Sequence, residues 1–462
     1  MYILAQKKLN PTRYIVLGFG GIILLGTLLL RLPIAAWDGQ ATPWLVCLFT
    51  ATSATCVTGL VLVDTALHWT PFGQGVMLVL VQLGGLGFVT LMSLVPFALH
   101  RRIGLSQRMM MASSLNMSGV AGVVRVVRHA LMGTFLAEGL GAALLATRFV
   151  PIFGLGRGLW FSVFHSVSAF CNGGFDLFGG YSGPYSSLAA FRGDLLVMVT
   201  IMALIIVGGL GFFVWEDLLD ARCWRKLRLY SKMVLGITVA LIGLGTLFFC
   251  CAEWDNPATL GAMPVWERPL NALFQSVTLR TAGYATFDQA GLRDSSAVLS
   301  IILMLIGGSS GSTAGGLKTV TMGVLLLALR DGLRGREEVV FRHRTIPQRQ
   351  VTIRGRAISY RKVIDAMTLA LTVLLLFLTG SMALSLMDRV PFVQAAFEVA
   401  SGMGTVGVTM GITPSLTVGS ALLMVALMFL GRVGILSFSI AFLTRKQAEH
   451  KISYPATDVM IG

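Results

Sequence analysis

Eight long apolar stretches divide this chain, and they limit its possible folds more than any other feature of the sequence. Each has about the 20 mostly apolar residues that a helix needs to cross a bilayer. With 55% hydrophobic and only 12% charged residues, a soluble fold would expose far too much hydrocarbon to water. The stretches occupy residues 13–31, 71–98, 127–148, 194–217, 231–252, 295–329 (interrupted), 363–386 and 416–443. The sequence therefore predicts an all-α membrane protein with eight transmembrane helices.

The basic residues indicate how these helices are oriented. Five patches, each one helix pair beyond the last, hold 26 of the 36 Lys and Arg residues, and they lie at Lys7–Arg13, Arg101–Arg128, Arg222–Lys232, Arg330–Lys362 and Arg445–Lys451. An excess of Lys and Arg on one side is the positive-inside pattern, which predicts that both termini lie in the cytoplasm. Because topology accounts for the net charge of +15, we predict no nucleic-acid partner.

A fourfold internal repeat organises the chain. Residues 49–60, 164–175, 274–284 and 397–408 each begin with Phe and end with Gly and an apolar residue, and the glycines are Gly59, Gly174, Gly283 and Gly407. A second glycine element follows 25, 34, 24 and 24 residues later, at Gly84, Gly208, Gly307 and Gly431. Two elements in register predict four helix–loop–helix copies. We place them at residues 1–100, 101–220, 221–330 and 331–462, and the last range includes a cytoplasmic basic linker before the fourth copy and a C-terminal tail after it.

The loops of the four copies are typical of a potassium filter. Non-helical backbone at membrane depth is tolerated only where it is buried in protein or lines water. A potassium filter replaces the hydration shell of the ion with backbone oxygens, and glycine tolerates the backbone conformations that this requires. The string Thr405-Val406-Gly407 matches part of the potassium-channel signature. We predict ion contacts at Val57, Thr58, Gly59, Asn172, Gly173, Gly174, Thr281, Ala282, Gly283, Thr405, Val406 and Gly407, with K+ held at the four glycines.

Three strings carry a family resemblance that covers nearly the whole chain. They are Thr-Ser-Ala-Thr-Cys-Val-Thr-Gly-Leu at 52–60, Leu-Arg-Thr-Ala-Gly-Tyr at 279–284 and Gly-Ser-Thr-Ala-Gly-Gly-Leu-Lys at 311–318. The chain resembles the Trk/Ktr/HKT superfamily of potassium transporters, and the bacterial KtrB subunit most of all. This resemblance implies a potassium-channel-like pore with four pseudo-fourfold repeats, lying in lipid in the bacterial inner membrane. It further implies a homodimer and a cytosolic KtrA/TrkA-like nucleotide-binding ring.

The same resemblance implies that K+ is the transported ion, and it leaves open whether transport depends on sodium. A phosphate-binding Gly-rich motif with its Lys is not found in the sequence, so we predict no organic cofactor and no enzymatic activity in this chain.

The sixth apolar stretch is interrupted at residues 307–316. These are Gly307, Gly308, Ser309, Ser310, Gly311, Ser312, Thr313, Ala314, Gly315 and Gly316. Each Gly costs about 1 kcal/mol relative to Ala in a helix, so five in ten residues exclude a stable helix. The resemblance implies an intramembrane gating loop below the filter, and the alternative is a loosely packed helix contact. Arg432, within the eighth stretch, is implied to be a barrier in the pore, with a buried ion pair as the alternative.

Other functions and pairings fit parts of the sequence. We expect Arg280 and Glu398 to pair as a clamp outside the ion path, while Asp64 and Asp176 either attract cations at the outer mouth or are solvated. A TrkH-like channel subunit and a sodium/potassium symporter are alternative functions. A remote one is an intramembrane serine protease, because residues 308–311 match its nucleophile string. Its catalytic base would have to be His165, which we instead expect to be a packing residue.

Overall fold

The computed structural model describes residues 11–87, 104, 108, 122–221, 223–334, 350–353 and 356–434. Parts of several predicted features lie outside this range. They include the ends of stretches 71–98 and 416–443 and the basic residues Lys7 and Lys8. Residues 335–349 of the linker and the tail at 435–462 also lie outside it.

The helices form four consecutive units, each with a first helix, a short helix and a second helix. Unit 1 contains Pro11–Leu30, Trp44–Cys56 and Pro71–Leu86. Unit 2 contains Val123–Phe153, Leu155–Phe170, and the pair Leu195–Leu210 and Phe212–Ala221. Unit 3 contains Leu229–Glu253, Glu267–Thr278, and the pair Asp294–Leu305 and Thr319–Leu333. Unit 4 contains Tyr360–Asp388, Phe392–Gly404 and Val418–Val433.

Connecting segments contain further single turns. Four-residue helices lie at Thr65–His68 and Gly179–Ser182. Short 3-10 turns lie at Pro33–Ala35, Ala189–Phe191, Trp224–Lys226, Leu260–Ala262, Gln289–Gly291 and Thr413–Ser415.

Every one of the eight predicted stretches contains helix, but the helices differ in length. In the described residues, three are long and apolar enough to cross a membrane: Val123–Phe153, Leu229–Glu253 and Val363–Asp388. The bent pair in unit 2, with an angle of 93° at Gly211, makes a fourth if it is counted as one span. Shorter apolar helical segments of 10–17 residues include Ile15–Leu30, Pro71–Leu86, Asp294–Leu305 and Val418–Val433.

The distribution of side chains suits lipid as the solvent. Large apolar side chains point outward from the first helices, for example Leu24 at 63% exposure and Leu244 at 67%. The interior instead holds many hydroxyl side chains, including the fully buried Ser168 and Ser276. A protein in a bilayer keeps apolar groups toward the acyl chains and satisfies polar groups internally, so this arrangement is expected of a membrane protein.

A two-stranded ribbon is the exception to the predicted all-α fold among the described residues. Gln350–Ile353 pairs antiparallel with Arg356–Ser359, in a register that joins Gln350 to Ser359. The sequence there is rich in β-branched residues, which favour extended backbone. The ribbon leads directly into the first helix of unit 4, so it lies within the basic linker and not among the apolar helices.

The second glycine element marks close backbone packing within three units. A methyl group added to Gly84, Gly208 or Gly431 would overlap the carbonyl oxygen of Thr55, Phe170 or Met403, respectively. Each of these carbonyls lies near the end of the short helix in the same unit. Only glycine permits this contact, and it brings each second helix against the turn that follows the short helix. In unit 3, Gly307 packs instead against the carbonyl of Gly315, because the second helix is interrupted there.

Candidate ion pathway

The four short helices end in turns with the same backbone conformation. Residues Val57, Asn172, Thr281 and Thr405 all have positive φ, at 58°, 61°, 70° and 53°. Two residues later, Gly59, Gly174, Gly283 and Gly407 have φ of 92°, 67°, 92° and 97°. Non-glycine residues rarely adopt positive φ because of steric clashes of Cβ, and such strain concentrates at functional sites. The four turns therefore share one unusual geometry, although their sequences have little in common beyond the glycine.

These four turns form a closed ring. A methyl group on Gly59 would lie 2.6 Å from the carbonyl oxygen of Gly173, and one on Gly174 would lie 2.7 Å from that of Ala282. One on Gly283 would lie 2.5 Å from the oxygen of Val406, and Gly407 closes the ring against Thr58. Each junction thus holds the carbonyl oxygen of the residue before a filter glycine. The four equivalent oxygens belong to Thr58, Gly173, Ala282 and Val406.

A buried hydroxyl on each short helix ties its turn in place. In units 1 and 4, Ser53 and Ser401 accept a hydrogen bond from the N–H of the filter glycine, at 3.1 and 3.0 Å. In units 2 and 3, Ser168 and Thr278 donate to the carbonyl that follows the glycine, at 3.0 and 2.7 Å. The four turns are therefore held by the same type of side chain in two alternative ways.

Side chains also connect neighbouring turns. Asn172 donates to the hydroxyl of Thr281 at 3.4 Å, and Tyr284 donates to the carbonyl of Phe175 at 3.3 Å. Within the described part of the chain, the Oδ1 atom of Asn172 and the hydroxyl of Thr405 are buried without a hydrogen-bond partner. Besides the four carbonyl oxygens, the ring therefore has these two side-chain oxygens without a hydrogen-bond partner. Their role in ion binding, like that of the other predicted filter residues, stays a prediction.

Residues 307–316 lie as a loop directly against the ring. Gly315 packs so closely on Thr405 that a methyl group at Gly315 would overlap the threonine side chain. Thr313 donates through its hydroxyl to the carbonyl of Phe170 at 3.2 Å, and its N–H donates to Gly208 at 3.3 Å. The segment is thus non-helical and buried in protein, next to the turns of units 2 and 4. The alternative of a loosely packed helix contact does not describe this geometry.

Arg432 joins three units at this loop. Its guanidinium donates to the carbonyl of Thr313 in unit 3, and to the carbonyls of Gly84 and Gly85 in unit 1. Salt bridges in the described residues involve Arg148, Arg192 and Arg228, and Arg432 takes part in none of them. The buried ion pair that the sequence left open for Arg432 is therefore not found in this part of the chain. The side chain instead pins the loop through uncharged carbonyl oxygens.

The expected pair of Arg280 and Glu398 is wrong. Arg280 donates to the carbonyl of Gly307 at 3.3 Å and to the hydroxyl of Thr319 at 3.2 Å. Glu398 accepts from Thr409 and Thr413 and from the N–H of Met410, all in its own unit. Both side chains thus bond to polar groups of their own unit, and they do not pair with each other.

Other candidate residues have structural partners. Lys318 donates to the carbonyl of Ala314 at 2.9 Å, so it contacts the loop. His165 bonds to the carbonyl of Phe161 and the N–H of Leu177, and stacks on Phe178 with 4.2 Å between ring centroids. It is a packing residue and lies outside hydrogen-bond contact with the serines of the loop. The protease alternative therefore lacks its base.

Asp64 and Asp176, which the sequence analysis expects at the outer mouth, accept hydrogen bonds from backbone N–H groups. Asp64 caps the helix Thr65–His68 and also accepts from the N–H of Tyr185 at 2.8 Å. Asp176 accepts from the N–H of Phe178 at 3.0 Å. These bonds shape the loops that follow the filter.

The sequence analysis missed the hydroxyls that hold the turns. Ser53, Ser168 and Ser401 each lie six residues before a filter glycine, and this spacing is visible in the sequence. The fourth, Thr278, lies five residues before Gly283 because that copy is one residue short. Contacts with the loop 307–316 that occur in one unit alone, such as those of Arg280 and the bond from the Tyr230 hydroxyl to the carbonyl of Ser310, left no comparable signal.

Comparison with known proteins adds independent observations. Residues 15–451 match the family described as TrkH, cation transport protein. The potassium/sodium uptake protein NtpJ of Enterococcus hirae is 38% identical, over 99% of this chain and 98% of that protein. The Ktr system potassium uptake protein B of Bacillus subtilis is 37% identical, over 100% and 98%.

A solved structure has the same fold. The potassium transporter TrkH from Vibrio parahaemolyticus superimposes with a TM-score of 0.71, covering 95% of this chain and 86% of that one. The sequences are 17% identical, so this likeness concerns the fold alone.

Proposed function

Because this chain belongs to the TrkH family of cation transport proteins, we propose that it takes up potassium across the cell membrane as the pore-forming subunit of a Ktr/Trk-type system. The ring of four equivalent carbonyl oxygens, at Thr58, Gly173, Ala282 and Val406, is the observation that carries this proposal. Relatives with more than a third of their residues identical are named potassium uptake proteins, which supports the same ion.

Potassium would bind where the four turns meet. Carbonyl oxygens around the axis replace the hydration shell of the ion, and glycine adds no side chain that would block the path. All four short helices end at the ring with their C-termini. The C-terminus of a helix carries a partial negative charge of roughly half an electron, so four of them favour a cation at this point. The predicted filter residues thus act through their backbone, with Thr405 and Asn172 adding side-chain oxygens.

The loop 307–316 and Arg432 form the proposed gate. The loop packs against the ring at Thr405, and the guanidinium of Arg432 holds it there through Thr313. In this position the loop obstructs the path and the arginine adds a positive charge that opposes cations. Opening requires the bond between Arg432 and Thr313 to break, so the same contact sets the closed state and the electrostatic barrier.

Partners and orientation follow from charge and family. We place the termini and the basic linker 330–362 on the cytoplasmic side, as the positive-inside pattern predicts. Ten basic residues in that linker suit a cytosolic KtrA/TrkA-like nucleotide-binding ring as regulator. A homodimer in lipid is the proposed assembly. Because one relative is named a potassium/sodium uptake protein, sodium is the second ion to test.

Growth of an uptake-deficient bacterium on limiting potassium tests this function. Expression of the chain should restore growth, and Gly407→Ser should abolish the rescue, because a side chain there overlaps the turn of unit 1. Gly411→Ser serves as the matched control, since Gly411 also has positive φ but an added Cβ there meets nothing within 4 Å. Failure of the chain to restore growth, with the protein present in the membrane, would overturn the proposal.

A further inference from the structure

Arg280 is a buried arginine for which the proposed filter and gate have no use. Its residue is 7% exposed, and an arginine at membrane depth is costly unless it has a specific role. The residues at the same position in the other units, three before the filter glycine, are Cys56, Cys171 and Gly404. None of these carries a positive charge, so the turn itself does not require one. The role of Arg280 must therefore be particular to unit 3.

Unit 3 is also the unit whose second helix gives way to the loop 307–316 at the ring. Arg280 contacts both ends of that interruption. One nitrogen, Nη2, donates to the carbonyl of Gly307, where the loop begins, and to the hydroxyl of Thr319, where helix resumes. Thr319 in turn donates to Gly307 at 3.0 Å. We call these three residues the Arg280 bridge.

The base of the loop is closed on itself by further bonds. The N–H of Leu317 donates to the carbonyl of Leu305 at 3.1 Å, and that of Thr319 donates to Gly308 at 3.0 Å. These bonds stay within unit 3, as the Arg280 bridge does. The base is thus one connected element, and it is continuous through Arg280 with the filter residue Thr281.

The tip of the loop has contacts of a different kind. Ser309 and Gly311 bond to the backbone of unit 2, at Gly209 and Phe212. Thr313 bonds to Phe170 in unit 2 and receives a bond from Arg432 in unit 4. A movement of the tip would break bonds between units while leaving those of the base intact.

We propose that Arg280 is a positioning residue that holds both ends of the loop 307–316 at the foot of the filter turn of unit 3. The tip of the loop can then move while its two ends, Gly307 and Thr319, stay in place. Because Arg280 precedes Thr281, the position of these ends depends on that of the filter turn. The second guanidinium nitrogen, Nη1, has no partner in the described residues, and Arg280 borders a cavity of about 10 Å³ beside Gly209 and Gly308. This inference rests on the proposed function, because it assigns Arg280 a part in gating the same pore.

The purified full chain in liposomes, without a regulatory partner, provides the test. Arg280→Gln should raise potassium flux about 10-fold, because the charged hydrogen bonds to both ends of the loop are lost. It should also lower the discrimination between potassium and sodium, because Arg280 precedes Thr281 directly in the chain. Thr319→Val should raise the flux by about 3-fold and keep the discrimination, because Arg280 retains its bond to Gly307. The double variant should behave as Arg280→Gln alone, since the two side chains act in one bridge.

Thr246→Val is the matched control, because the Thr246 hydroxyl bonds only within its own helix, to Ile242. Its flux should equal that of the wild type. If the fold-change in flux of the double variant equalled the product of the two single fold-changes, the two side chains would act independently, and the Arg280 bridge would be refuted. If Arg280→Gln does not reach the membrane, Thr319→Val carries the test, and an unchanged flux would then refute the proposal.

Hydrogen exchange separates this inference from the proposed function. In the Thr319→Val protein, amides in residues 305–319 should exchange faster than in the wild type, with or without potassium transport. Unchanged exchange there would contradict the bridge. A wild-type chain that carries no potassium would instead refute the proposed function and leave the exchange result to decide the bridge.

Discussion

Units 3 and 4 have the same turn at the ring but differ in the layer below it. Both turns combine a threonine and a glycine of positive φ, Thr281 with Gly283 and Thr405 with Gly407. In unit 4 the second helix runs from Val418 to Val433, two residues beyond Gly431, and is capped by Gly434, the last residue that the structure describes. In unit 3 it stops at Leu305 and resumes at Thr319. The four turns thus share one backbone conformation, whereas the second helix of unit 3 ends two residues before its glycine element and that of unit 4 ends two residues after the corresponding glycine.

Substitution of the filter glycines tests whether the turns of units 3 and 4 are equivalent. We expect it to change potassium flux more than any other substitution considered below. Gly283→Ala and Gly407→Ala should each lower potassium flux by about 100-fold. An added methyl group clashes with the neighbouring turn, and alanine at positive φ costs about 1–3 kcal/mol. Flux into liposomes at equal protein is the measurement.

Gly411→Ala is the control for these two variants. Gly411 also has positive φ, of 88°, but a methyl group there meets nothing within 4 Å. It should leave flux nearly unchanged. If Gly283→Ala were tolerated while Gly407→Ala was not, units 3 and 4 would be unequal at the ring itself.

Substitution of Arg432 tests the feature in which the units differ, the loop 307–316 of unit 3. Arg432→Ala should raise potassium flux about 10-fold, because hydrogen bonds to charged groups contribute roughly 1.5–3 kcal/mol and those holding Thr313 are lost. Arg148→Ala is the control, since Arg148 is half exposed and paired with Asp194 at the surface. A flux unchanged by Arg432→Ala, in a protein that folds normally, would mean that the loop is held closed by its other contacts.

Tyr230 provides the finest test of how the loop is held. Its hydroxyl donates to the carbonyl of Ser310 at 3.0 Å, and an uncharged hydrogen bond contributes about 1 kcal/mol. Tyr230→Phe should therefore raise flux about 2- to 5-fold, measured beside Arg432→Ala in the same liposomes. A larger effect than that of Arg432→Ala would place the principal contact of the loop at unit 3 instead of unit 4.

The sequence predicted the fold through its repeats. Four glycines at nearly equal spacing, each followed by a second glycine element, predicted four units, and the family and fold comparisons agree with a transporter of this class. The second element has a simple physical reason, since Gly84, Gly208 and Gly431 allow a carbonyl to approach their Cα. Periodic features of this kind repeat in the sequence because they repeat in space.

Features that occur once could not be predicted in the same way. Arg280 and Glu398 are the clearest case: opposite charges in two apolar segments suggest a pair, but each side chain bonds instead to backbone or hydroxyl groups of its own unit. The short ribbon at 350–359 was missed because its β-branched residues are embedded in a basic linker. A sequence displays charge and composition, whereas the direction of a carbonyl group depends on tertiary contacts.

All four turns of the ring belong to one polypeptide, and this has a consequence for how the protein can change over generations. A mutation in the gene alters one quadrant, whereas in a pore assembled from four identical subunits the same mutation would alter all four at once. Selection can therefore change one quarter of this pore without changing the other three. Single quadrants can acquire individual features, as the third has with Arg280 and its interrupted helix and the fourth with Arg432, while all four keep the same turn.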